Sequence, residues 1–248
     1  MSKPKIMPED VARQAIERLK AMADPARAAG VQRYFKETVK SFGVPTPDIR
    51  RLAAELYQSV RDFWRVEDAV ALCNILYPEL ELDTKSIATL VLVRFRKGFP
   101  KTMFDRIKSW LARNHLDSWA SVDGLCPDAV GTLLEQYPEL VGEIKTWAFH
   151  PNRWVKRASA VSFLKLARKA AYLPVIYEIS ASLFPFADDL VQKANGWLLR
   201  EAGKADAKRL EKFLLRHGPA IPRTTLRYAI ERFPPAKRRA LLLKTRPK

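Results

Sequence analysis

The chain has 248 residues, with 44 Lys+Arg against 27 Asp+Glu, a formal net charge of +17, and 48% hydrophobic residues. That is enough apolar material for a sizeable core, which excludes a disordered polyelectrolyte and predicts one large domain over residues 1–248. Basic residues spread over the whole length predict a folded body with a strongly positive face, and such a face meets polyanions, nucleic acid first and an anionic membrane surface second.

In chain order, Met1–Asp10 shows no apolar core followed by a cleavage site, so a cytoplasmic protein is expected. Glu9 to Ala23 sets Val11, Ala15, Ile16, Leu19 and Met22 on one helix face. Thr46-Pro47-Asp48 opens another helix, with Thr46 as N-cap and Pro47 at the first helical position. The longest uncharged stretch, Ala69 to Pro78, is ten residues, half of the ~20 needed to span a bilayer. Ile87 to Val93 fits a buried strand or a buried helix. Further helix starts are read at Pro127-Asp128, Pro151-Asn152 and Asp188-Asp189. The sum is an all-α chain of about a dozen helices.

Cys73 and Cys126 lie in apolar helical contexts and are expected as small buried side chains. His115, His150 and His217 are far apart and no CxxC or HExxH spacing occurs, so no metal site is expected. None of the 9 glycines falls in GxGxxG or GxxxxGK spacing, and no nucleotide cofactor is expected. Trp64, Trp110, Trp147 and Trp154 read as core.

The helices repeat. Ala158 and Ala194 stand 36 residues apart, each directly after a basic residue, Ala229 lies 35 further on, and Ala88 lies 70 before Ala158. A period of 35 to 36 built of helix pairs predicts an α-solenoid of HEAT-like repeats with a concave basic groove, because each pair buries its face only by stacking on its neighbours. The same frame puts Asp123 where its neighbours put alanine, four residues after Trp119 and on the same helix face. Trp119, Asp123, Arg157 and Trp197 are expected to line one groove. A carboxylate in a structural slot is the local inconsistency that marks a functional site.

Three segments carry a resemblance: Ser118-Trp119-Ala120-Ser121-Val122-Asp123, Trp154-Val155-Lys156-Arg157-Ala158, and Val191-Gln192-Lys193-Ala194-Asn195-Gly196-Trp197-Leu198-Leu199-Arg200-Glu201. In this order, with Tyr34-Phe35 and Phe42-Gly43-Val44-Pro45-Thr46-Pro47 before them, the chain resembles the AlkD family of bacterial DNA alkylation repair glycosylases. The resemblance implies a HEAT-like solenoid that holds double-stranded DNA and excises cationic alkylated purines, N3-alkyladenine and N7-alkylguanine, without flipping the base into a deep pocket. No Schiff-base lysine is called for, so a monofunctional enzyme is expected, as are a monomer and the absence of cofactor, metal and membrane partner. By the same resemblance Asp123 is the catalytic carboxylate and Trp119 and Trp197 are the aromatic pair on the lesion's deoxyribose. Tyr34 stands near the lesion, and Thr46, Arg157, Lys165, Lys193 and Arg200 contact DNA.

Two departures from the family pattern stand at Ala120, where an acid is expected, and at Asp188-Asp189-Leu190, where an aromatic is. Two carboxylates there would repel phosphate if they faced the groove. The competing readings are a non-catalytic solenoid binding branched or damaged DNA, which needs the basic face but not Asp123, and a protein-binding scaffold, which leaves +17 unexplained. The basic residues Lys237-Arg238-Arg239 and Lys244 to Lys248 read as a solvated terminus.

Overall fold

The computed structural model describes residues 6–246, so the readings made on Met1–Lys5 and on Pro247-Lys248 lie outside the described residues. Fourteen α-helices and no strand occur among them, with one isolated bridge between Lys40 and Glu81. The all-α expectation holds. No helix of the described residues is long and apolar enough to cross a membrane. The chain forms two compact units, one reaching to Arg106 and including Arg113–Leu116, the other made of Ile107–Ala112 and everything from Asp117 on.

The first unit contains α1 (Pro8–Ala21), α2 (Pro25–Val31), α3 (Thr46–Val60), α4 (Val66–Leu76) and α5 (Leu82–Leu92), followed by the start of α6 (Met103–Ala112). α1 buries the predicted face through Val11, Ala15 and Leu19 against α4 and α5. The apolar run from Ile87 is helical; there α5 is buried almost all round, which is why that run shows no polar face and reads equally as a strand. Trp64 is 5% exposed and donates its indole N–H to the Ile6 carbonyl at 2.8 Å.

Phe42-Gly43-Val44-Pro45 is held from α5, where buried Asp83 accepts the N–H groups of Phe42 at 3.0 Å and Val44 at 3.2 Å. Gly43 has φ +78°, and a Cβ there would stand 2.6 Å from the Ala28 nitrogen, so only glycine fits the turn. α3 begins one residue earlier than expected. Pro45, with φ −57° and ψ 139°, takes the N-cap, and its carbonyl accepts from Asp48 at 2.9 Å and Ile49 at 3.1 Å. Thr46 is therefore the first helical residue, makes no side-chain cap and is exposed.

The second unit holds the rest of α6, then α7 (Trp119–Gln136), α8 (Leu140–Trp147), α9 (Arg153–Val161), α10 (Leu173–Leu183), α11 (Asp189–Ala205), α12 (Ala207–His217), α13 (Arg223–Ala229) and α14 (Pro235–Lys244). α7, α9, α11 and α13 lie side by side in one layer, while α8 beside α10 and α12 beside α14 form a second. This is the stacking of helix pairs that makes an α-solenoid. Ala158, Ala194 and Ala229, the residues of the repeat frame, are at most 2% exposed on α9, α11 and α13. A small side chain at that slot lets successive helices approach closely.

One expected helix start fails. Pro127 lies inside α7, which begins eight residues earlier, where Ser118 caps it by accepting the Ser121 N–H at 3.2 Å. An interior proline costs about 3 kcal/mol through the lost donor and ring clash. Leu125, Cys126, Ala129 and Val130, all 0% exposed, flank it on the buried face and outweigh that cost. The starts at Asn152 and Asp188 hold, each side chain accepting backbone N–H groups of the first turn. Trp110, Trp147 and Trp154 are core, and both cysteines are free and buried, their thiol pKa pushed up by burial.

Candidate functional site

The site lies in the second unit and starts from the first turn of α7. Trp119 is its first residue and half-buried; Asp123 follows one turn later on the same side. Across on α9, Arg157 donates Nε to Asp123 Oδ1 at 2.8 Å and Nη2 to Asp123 Oδ2 at 2.7 Å. Its Nη1 donates to the Leu190 carbonyl in the first turn of α11. The side chains are only 6% and 12% exposed for Arg157 and Asp123. One guanidinium thus ties three consecutive helices of the layer, and the planar fork fixes the carboxylate in orientation as well as place. Pro127, four residues after Asp123, has no N–H to give the Asp123 carbonyl.

An open cleft of about 370 Å³ is lined by Asp123, Pro127 and Asp128 of α7, Leu164 and Lys165 beyond α9, and Trp197 and Glu201 of α11. Lys165 pairs with Asp128 at its edge. Glu201 is 14% exposed and pairs with Lys204 at 2.6 Å, with Arg200 Nε at 3.6 Å. Of the four residues expected in one groove, Asp123 and Trp197 line this cleft, and Trp119 and Arg157 are not among its lining residues. Arg157 is turned inward because the buried carboxylate would otherwise lack a partner.

Asp128 and Glu201 are cleft residues that the sequence motifs do not single out. A signal for Glu201 exists in the sequence: Trp197 and Glu201 repeat the four-residue spacing of Trp119 and Asp123, two repeats later. For Asp128 the signal is masked by Pro127, which reads locally as a helix start.

The segment around Trp197 is mainly structural. Gln192 donates Nε2 to the Leu183 carbonyl at 2.6 Å and accepts from Thr225 Oγ1 at 2.6 Å. Asn195, 0% exposed, donates to the Ser180 carbonyl at 2.9 Å. A Cβ on Gly196 would stand 2.6 Å from the Thr225 carbonyl oxygen, so glycine is what lets α13 lie against α11. Together these fix the register of Trp197.

Of the other expected DNA contacts, Lys193 is paired with Asp189 at 3.0 Å and Arg200 with Glu231. Tyr34, 77% exposed, and Thr46 belong to the first unit. Asp188 caps α11 and pairs with Arg153 at 2.7 Å, so with Asp189 held by Lys193 neither carboxylate of the departing segment is uncompensated. Among the described residues no three His, Cys, Asp or Glu gather as a metal site.

The chain matches the family described as DNA alkylation repair enzyme over residues 15–233. A solved structure described as a predicted DNA alkylation repair enzyme from Enterococcus faecalis is similar at TM-score 0.76 and 18% identity, covering 86% of this chain and 98% of that one. At that identity the likeness shows the shared fold. No curated protein matches the sequence. The family match spans most of the chain, and the protein belongs to the DNA alkylation repair enzyme family.

Proposed function

We propose that the protein is a monofunctional DNA glycosylase that hydrolyses the N-glycosidic bond of cationic alkylated purines, N3-alkyladenine and N7-alkylguanine, in double-stranded DNA. Membership of the family gives DNA as the partner and repair as the role. The observation that carries the finer reading is the Asp123 carboxylate, gripped at both oxygens by buried Arg157 and presented in a cleft beside Trp197.

In this reading the C1′–N bond breaks with its electron pair going to the cationic purine, which leaves neutral, while positive charge develops on the sugar. Asp123 stabilises that charge and accepts a hydrogen bond from the attacking water, whose proton passes through that bond to the carboxylate, and from it to solvent, as the water oxygen bonds C1′. Each carboxylate oxygen has two lone pairs, so the grip of Arg157 leaves acceptor capacity for the water. Trp197 adds cation–π attraction to the same charge, and Trp119 supports it from the start of α7. Three of the five Arg157 donors are taken by Asp123 and Leu190, which makes Arg157 a positioning residue. Tyr34, Thr46, Lys165, Lys193 and Arg200 are the proposed DNA contacts. The open cleft suits a base that is not drawn into a deep pocket.

The test is release of free base from duplex DNA containing N7-methylguanine. Loss of one preorganised charge-stabilising group costs ~10² to 10³ in rate, and Asp123→Asn is expected to fall by that factor with duplex binding retained. No release by the wild type above the spontaneous rate ends the glycosylase reading; full activity in Asp123→Asn ends the assignment of that residue.

A further inference from the structure

From Arg223 to Arg246 the chain carries eight basic residues and one acid, Glu231. The acid is engaged by Arg200 of α11, and Lys237 is engaged by Glu211 of α12 at 2.6 Å. Arg223 is turned into the protein, donating to the Leu242 carbonyl at 3.3 Å and the Thr245 hydroxyl at 3.3 Å at the end of α14. Burial, then Arg227 and Arg246, hold its pKa below the ordinary arginine value. The eight basic residues against one acid make this stretch a local excess of positive charge.

Within this excess lies a cleft of about 310 Å³ between α13 and α14, lined by Arg227, Arg238 and Arg239 over a floor of Ile230, Pro235 and Leu242. None of the three arginines has a carboxylate partner among the described residues. Some basic side chains of this unit are paired, Lys165 with Asp128, Lys193 with Asp189 and Lys237 with Glu211; what sets these three arginines apart is that they share one cleft. Like charges brought to one cleft repel unless an anion joins them. Guanidinium forks suit the geometry of phosphate oxygens, and an apolar floor suits a deoxyribose.

We infer that the α13–α14 cleft is a phosphate-binding site that seats a phosphodiester of the DNA backbone through Arg227, Arg238 and Arg239, an anchor beyond the Asp123 cleft and independent of base release. It rests on DNA as the family's partner and not on the glycosylase reading. Such an anchor carries no sequence information and acts on affinity alone.

The experiment measures binding of the full chain to an undamaged duplex as a function of salt, for wild type and for Arg227→Gln/Arg238→Gln/Arg239→Gln. Freeing one phosphate from the protein lowers the magnitude of the log–log salt slope by ~0.9, and the triple variant is expected to show about that decrease for one phosphate. Lysine at the same three positions is expected to restore the slope. A control variant, Lys208→Gln/Lys212→Gln/Arg216→Gln, removes three exposed charges from α12 and is expected to keep it. An unchanged slope in the arginine variant overturns the inference. So does an equal drop in the control, which reduces the effect to net charge, or failure of the lysine variant to restore binding, which makes it structural. Vesicles of phosphatidylcholine and phosphatidylglycerol form a second arm: loss of vesicle binding with an intact duplex slope assigns the cleft to membrane anions and overturns it as well. Because no damaged base is used, failure here is separable from failure to release N7-methylguanine.

Discussion

Arg157 and Asp123, 34 residues apart in sequence, meet through two parallel hydrogen bonds of 2.8 and 2.7 Å with both side chains nearly buried. Removing one member of a buried ion pair leaves the other uncompensated and costs about 3 kcal/mol or more, whereas replacing both by apolar groups of similar volume is close to neutral. Arg157→Met is therefore expected to lower the melting temperature strongly, and Asp123→Leu/Arg157→Met to recover most of the loss while staying inactive. Thermal unfolding of the three proteins checks this. A double variant as unstable as the single one would show that the pair is held for packing and not for charge.

Trp197 is the aromatic wall of the Asp123 cleft. A cation–π contribution of about 0.5 to 2 kcal/mol corresponds to roughly 2- to 30-fold in rate. Trp197→Leu is expected to slow single-turnover base release within that range and to leave the salt slope of duplex binding unchanged. A loss as large as that of Asp123→Asn would mean that Trp197 sets the geometry of the cleft and does more than attract charge.

The repeat was legible because burial is periodic: a small residue is demanded wherever one inner helix crosses the next, so Ala158, Ala194 and Ala229 recur and Asp123 stands out in the same slot. Which way Arg157 turns was not legible. A basic residue in a basic protein reads as a contact for DNA, and only the stacking of α7, α9 and α11 brings Asp123 and the Leu190 carbonyl within its reach. Pro127 misled for a related reason. Its local cost argues for a helix start, but the buried flanks on both sides decide the outcome, and burial depends on neighbours far away in sequence.

Gly196 lies at a close approach of α11 to α13. A methyl group there would stand 2.5 Å from the Tyr228 Cβ and 2.6 Å from the Thr225 carbonyl oxygen, and neither partner is the loose end of a flexible chain. Overpacking of this kind costs about 1 to 3 kcal/mol. Gly196→Ala is expected to lower the unfolding midpoint in urea accordingly, whereas Gly142→Ala, where a Cβ meets nothing within 4 Å, is expected to be neutral or slightly stabilising. Equal midpoints for both would remove close helix approach as the reason for glycine at position 196.

Two histidines tie stability to pH in a direction that can be worked out. His217 packs against Phe213, with ring centroids 4.5 Å apart, and Phe184 at 5.5 Å; burial and then Arg216 hold its pKa below the ordinary value. His150 is lowered by burial, then by Lys108 and Lys156. Its Nδ1 accepts the N–H of Asn152, the cap of α9, at 3.1 Å, a bond that a proton on Nδ1 abolishes. In the unfolded chain both rings titrate near 6.5, so on lowering the pH the unfolded state takes up protons first. Stability is then fully present above that value, falls as the pH drops through it, and levels off only below the folded-state values. The melting temperature is expected to decrease between pH 7.5 and 5.5, and the decrease to be smaller in His150→Gln/His217→Phe. The same decrease in the double variant would place the pH dependence on other groups.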